Sequence, residues 1–316
     1  MSRRTFCLAL GGLLIAVLAI GTAPAMAEMV SADFTAGITT TEVDGYAGMA
    51  GDGWTTAWGE WKSGSATKTM TLRTPIDGTE LKSGLGNYLE VVGGQNGSGT
   101  GSFTVGRSFK TVGKTPIDWT KEYTIRFTVR IDEDVDAEGA FTNVEERYQF
   151  YDRANLSGVP DATSTFVISG ISKSTAGTVF PAGVAGEWTF FDGLRTGSWD
   201  TSAERHFNTD VALRTGHVYD FEVVVKPETQ SYDAAVRDFT ADGSWVRAYN
   251  LAWRTSATEI PTYLVFAGRD GQTATDSDNR AFSFDAIAIV PEPGTLLMLL
   301  GALAALGVAT QRRPVR

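Results

Sequence analysis

The chain has 316 residues, 42% of them hydrophobic, with 27 Lys and Arg against 37 Asp and Glu, and a single cysteine. A net charge of −10 opposes binding to nucleic acid or to an anionic lipid surface, and one cysteine excludes a disulfide framework within the chain. The length is ample for one large hydrophobic core.

Ser2-Arg3-Arg4 is a basic opening, Leu8 to Ile20 an apolar run, and Ala25-Met26-Ala27 a small-residue cleavage pattern. That order predicts a secretory signal peptide over 1–27, with Ala25 and Ala27 as cleavage positions and an exported chain that begins at Glu28. Ser2-Arg3-Arg4-Thr5-Phe6 also resembles a twin-arginine export motif, from which it departs at Cys7 and Leu8. Cys7 leaves with the leader, so the body carries no thiol chemistry.

The body is predicted over 28–290 as one domain. Taking two arginines of the leader, and Glu292 and three arginines of the tail, from the totals of 27 and 37 leaves 22 basic and 36 acidic residues, a net of −14. Such a surface suits solubility, cation binding or neutral sugar partners. The first body strand is expected near Asp33-Phe34. Strands follow at Tyr88 to Val92, Gly101 to Phe109, Tyr123 to Ile131, Arg147 to Asp152 and Thr165 to Ile171. The clearest is Tyr123 to Ile131, where Tyr123, Ile125, Phe127, Val129 and Ile131 alternate with polar residues, which gives one buried and one wet face. Val218 to Val225 continues the pattern, Lys226 to Gln230 turns the chain, and Tyr232, Ala234 and Val236 line the return strand. In Trp245 to Arg254, alternation places Tyr249, Leu251 and Trp253 on one side. Tyr263 to Ala267 and Ala281 to Val290 are the last strands. In the final one, Phe282 and Phe284 give way to Ile287 and Ile289, a slip of phase that predicts a bulge or burial on both faces. If this strand pairs beside the first, both chain ends leave on one side. The run Gly93 to Gly99 reads as a loop. No segment before the tail has a helical period, so the fold class is all-β, a two-sheet jelly-roll sandwich.

Gly45-Tyr46-Ala47-Gly48, Gly53-Trp54-Thr55-Thr56-Ala57-Trp58, Tyr88-Leu89-Glu90-Val91, Arg107-Ser108-Phe109 and Phe282-Ser283-Phe284-Asp285 together resemble bacterial concanavalin-like (LamG-like) jelly rolls. The resemblance implies a glycan- or surface-binding class, in which a structural Ca2+ is common.

Candidate sites are sparse. Trp54, Trp58, Trp245 and Trp253 fall in patterned regions and read as core. Trp188 and Trp199 flank a loop-rich stretch; their rings could stack on sugars, or pack in the core or a hairpin. Asp132, Asp134 and Asp136 place carboxylates at alternate positions of a hairpin loop, a density of oxygen that suits a hard cation such as Ca2+, although the EF-hand pattern is absent. His206 and His217 read as ordinary polar residues. No strand carries the Glu-x-Asp-x-x-Glu spacing that sets two acids facing a glycosidic bond, so no catalytic residue is expected; acids on distant strands keep a secreted glycan-cleaving enzyme as the alternative.

The tail closes the chain. Pro291-Glu292-Pro293 forbids helix, Thr295 to Thr310 is uncharged and apolar on every face, and Arg312, Arg313 and Arg316 make a basic end. A membrane helix usually needs ~17–25 residues, and this run of 16 falls just under that; it is expected to stop in the inner membrane with the arginines in the cytoplasm. Residues 291–316 resemble the PEP-CTERM sorting signal of Gram-negative bacteria. The resemblance implies that Pro291, Glu292, Pro293, Arg312 and Arg313 are recognition elements for exosortase, a membrane-embedded protease that removes the tail. It also implies delivery to the cell surface or extracellular matrix in company with exopolysaccharide. A tail that stays uncut would instead leave a permanently anchored periplasmic domain. The reading is an exported, non-enzymatic sandwich that is structural or binds polysaccharide.

Overall fold

Alternating apolar residues build two antiparallel sheets, which face each other across one aromatic core. The computed structural model describes residues 30–32, 34, 54, 56, 58–63, 66–74, 80–95, 101–109, 118–132, 147–154, 156, 164–171, 186–193, 206–254, 262–270 and 279–291. Among them run fifteen strands: β1 (Val30–Ala32), β2 (Gly59–Ser63), β3 (Ala66–Arg73), β4 (Tyr88–Gln95), β5 (Gly101–Ser108), β6 (Tyr123–Ile131), β7 (Arg147–Arg153), β8 (Val167–Ile171), β9 (Glu187–Phe191), β10 (His206–Ala212), β11 (Val218–Lys226), β12 (Ser231–Asp238), β13 (Val246–Ala252), β14 (Tyr263–Asp270) and β15 (Asn279–Pro291). One sheet has the order β13-β12-β11-β6-β15-β4-β3, with β1 also paired to β15; the other has the order β10-β9-β8-β7-β14-β5-β2. The chain passes repeatedly between the sheets, as expected of a jelly-roll sandwich.

The inward residues of β6 are at most 2% exposed. Phe127 lies opposite Phe221 of β11, with the rings stacked at 5.0 Å. From the second sheet, Phe150 meets Phe127 at 5.5 Å, and Phe266 stacks on Phe284 at 4.3 Å. Burying each such ring stabilises the fold by ~1.5–3 kcal/mol.

β15 bears out the phase slip. Its register against β6 shifts between Asp285 and Ala288, and Ala286 at the bulge has φ 53. The slip keeps Phe282, Phe284, Ile287 and Ile289 all in the core. β4 pairs with the first half of β15 and β1 with the second, with Val30 opposite Ile289. Both ends of the folded body therefore lie at one end of the sandwich, as expected. The first strand sits at Val30–Ala32 rather than at Asp33-Phe34; Phe34 has φ 53, a conformation through which a strand does not continue.

Three expectations are corrected. Gly93 to Gln95 belong to β4 and not to a loop; a Cβ at Gly93 would fall 2.1 Å from the Phe103 ring, so glycine here is a packing requirement. Glu187–Phe191 is a strand buried along its whole length. In β13, Tyr249 points outward and is 63% exposed, because Tyr249 and Asn250 bulge opposite Asp233 and Asn250 has φ 56. Among the described residues no helix is long and apolar enough to cross a membrane. The expected membrane segment and the signal peptide, with Ala25 and Ala27, lie outside those residues.

Candidate functional site

Alternation along β11 sends Tyr219, Phe221, Val223 and Val225 inward and presents Asp220 and Glu222 on the outer face of the larger sheet. Each carboxylate is gripped by its cross-strand neighbours. Arg126, opposite Glu222, donates from Nε to Oε2 at 2.9 Å. Arg247 reaches past the small Ala235 and donates from Nη1 to Oε1 at 2.7 Å. Thr128, opposite Asp220, donates to Oδ1 at 2.8 Å, and Arg237 donates from Nε to Oδ2 at 2.8 Å. Lys82 bonds Asp220 as well, and donates to Thr128 at 3.2 Å. Burial pushes both carboxyls up, but the donors outweigh it, and Asp220 and Glu222 end below the ordinary carboxylate range.

Trp245 stands over this lattice. The Arg237 and Arg247 guanidinium carbons lie 5.0 and 5.2 Å from its ring centroid. Beside it, Lys82 sits 4.5 Å from the ring centroid of Phe239, which is 43% exposed. Trp245, Arg126, Thr128, Asp220, Glu222 and Ala286, together with Phe127 and Phe221, line a cleft of about 220 Å3. The bulge of β15 thus contributes Ala286 to the wall. A cleft with an indole on one side and charged hydrogen-bonding groups on the other is suited to a sugar, which has an apolar ring face and a polar rim.

Trp245 was expected in the core, and its placement here is a correction. It precedes the bulged β13, and alternation alone misassigns its face. Trp58 and Trp253 are buried as expected, and half-buried Trp54 donates to the Ser31 carbonyl at 2.7 Å. Trp188 is fully buried, 5.0 Å from Phe221 and 5.4 Å from Phe150, which removes it as a sugar-stacking surface. Its strand is buried on both faces, Glu187 and Thr189 included, because the outer face of the smaller sheet is itself covered: Tyr151, Val167, Phe191, Val265 and Ala267 form a second apolar cluster there. Trp199 lies outside the described residues, as do Asp134, Asp136, Glu292, Pro293, Arg312 and Arg313. Asp132 is held by Arg130 and accepts from Ser283 Oγ at 2.5 Å. Among the described residues no group of three His, Cys, Asp or Glu could hold a metal ion. His217 Nδ1 lies 2.7 Å from Asp238 Oδ2, and His206 packs on Phe191 at 4.1 Å.

Pro291 is the last residue of β15, opposite Tyr123. Residues 290–313 match the family model described as the PEP-CTERM protein-sorting motif. The tail is a PEP-CTERM motif. It marks a chain for export and exosortase-dependent sorting to the cell surface, and in this chain the PEP-CTERM motif begins within the last strand of the folded body. Comparison with curated proteins gives no match. Among solved structures, the chain is similar to an endo-β-1,4-glucuronan lyase from the fungus Trichoderma reesei (TM-score 0.43, 13% identity, covering 80% of this chain and 95% of that one). It is also similar to lectin II from Ulex europaeus (0.39, 10%, 73% and 97%) and to a glycoside hydrolase family 131 catalytic domain from Coprinopsis cinerea (0.41, 9%, 71% and 78%).

Proposed function

We propose that exosortase removes the tail of this protein near Pro291, and that the freed sandwich binds polysaccharide at the cell surface or in the extracellular matrix through the Trp245 cleft. The cleft carries the binding reading: it joins an aromatic wall to positioned donors on the rigid face of a sheet. Binding is favoured over cleavage because Asp220 and Glu222 are both held ionised, whereas glycoside hydrolysis needs one carboxyl kept protonated as general acid.

The test begins with the intact mass of the protein recovered from its own cells, in envelope and matrix fractions separately. A matrix form running from Glu28 to about Pro291 supports sorting and release. A form that retains Arg316 and occurs only in membrane makes the tail a plain anchor. Binding of the matured protein to the matrix polysaccharide is then compared with that of Trp245→Ala, for which a loss of about tenfold is expected. Release of reducing ends from the polymer would replace the binding reading with the enzymatic one.

A further inference from the structure

The Trp245 cleft reverses the charge of the molecule around it. The body is strongly acidic, yet Lys82, Arg126, Arg237 and Arg247 converge on only two carboxylates, Asp220 and Glu222. Each carboxylate is shared between two cations; with Asp285 of β15, which lies opposite Thr128 on the same face, counted as a third acid, the four cations still leave one positive charge uncompensated. Asp220 and Glu222 are separated by one residue on the same strand, which sets their arginine partners side by side along the cleft.

The donors are also underused. Among the described residues, Arg126 hydrogen-bonds through Nε to Glu222 and Arg247 through Nη1 to the same carboxylate, and neither makes a second side-chain bond there. Their remaining N–H groups have no protein partner among the described residues, and the two side chains are 57% and 38% exposed. An arginine fork with free N–H groups is the side chain best matched to a carboxylate, which it can bind through two parallel hydrogen bonds. The low position of the Asp220 and Glu222 carboxyls agrees with a positive local potential. Trp245 supplies the apolar wall against which a sugar ring can lie.

We infer that the cleft takes an acidic polysaccharide, whose sugar carboxylates are received by Arg126, Arg237 and Arg247 while the ring lies against Trp245. This inference rests on the polysaccharide-binding reading above, and it places an acidic sugar where net charge alone would favour a neutral one. Net charge governs approach from a distance, whereas contacts within a Debye length of about 8 Å govern the bound state.

The test uses the matured protein with polygalacturonate, with the same polymer fully methyl-esterified, and with a neutral glucan, followed by calorimetry. Binding at least ten times tighter to the free acid than to the ester is expected, weakening as salt is raised. Arg247→Gln should lower that affinity about fivefold. Glu222→Gln removes a competing carboxylate and should raise it, an effect opposite in sign to simple damage; an unchanged thermal midpoint checks that each variant folds. Equal or tighter binding to the ester or the glucan overturns the inference and leaves the binding reading standing. Binding to none of the three overturns both. Equal binding to anionic phospholipid vesicles overturns the sugar-carboxylate assignment, because charge alone would then suffice.

Discussion

Asp152 of β7 points into the core and is fully buried. Its Oδ1 accepts the backbone N–H groups of Thr165 at 2.7 Å and Phe166 at 3.3 Å, and Oδ2 pairs with the Thr165 hydroxyl. Burial nevertheless outweighs these donors and pushes its pKa up to about 7 from 3.8. The folded state therefore holds this proton more tightly than the unfolded state does. The stability it contributes is complete below about pH 4 and is lost as pH rises to about 7, an upper value of about 4 kcal/mol. The thermal midpoint is expected to fall over that interval, and Asp152→Asn, which keeps an acceptor for both N–H groups, should flatten the slope. A second residue-scale prediction concerns Gly170, where a Cβ would lie 2.6 Å from the Trp188 ring. Gly170→Ala should cost about 1–3 kcal/mol through overpacking, read as a shift in the denaturation midpoint without a change in slope.

At the scale of elements, β15 and β13 carry bulges with opposite legibility. In β15 both halves of the slipped pattern are strongly apolar, Phe282 and Phe284 then Ile287 and Ile289, so the change of phase can be read from the residues. In β13 the slip falls between Ala248 and Leu251, with the large Tyr249 between them, and a regular alternation through Tyr249, Leu251 and Trp253 is equally consistent with the letters. That ambiguity hid the cleft, because it assigned Trp245 and Tyr249 to the core. β6 and β11 were legible because each has one apolar and one polar face. β9 was not, because its alternation, Glu187-Trp188-Thr189-Phe190, runs for only four residues before Phe191 breaks it, too short to stand out from the glycine-bearing stretch that follows. The carboxylates of the cleft stand in plain alternation on β11, but their partners come from β6, β12, β13 and the segment holding Lys82, and only the fold brings these together. The bulge of β15 can be tested: Ala286 has φ 53, so Ala286→Val should destabilise by about 2 kcal/mol, whereas Ala286→Gly should be tolerated.

For the whole molecule, the position of β15 decides how the sandwich comes together. Remove it, and the larger sheet falls into two halves, β13-β12-β11-β6 and β4-β3, with β1 attached to neither. A chain ending at Pro291 should therefore resist protease and show a cooperative melt, while one ending at Asp278 should show neither. If the chain is exported unfolded, it emerges N-terminus first and its keystone is the last piece of the body to arrive. Assembly of the core would then wait until the residues next to the sorting motif have crossed. A tail held in the membrane would keep that strand in place while the two halves close on it. In this arrangement the segment that addresses the protein also times its maturation, and a cut made ahead of β15 would release a chain unable to complete its own fold.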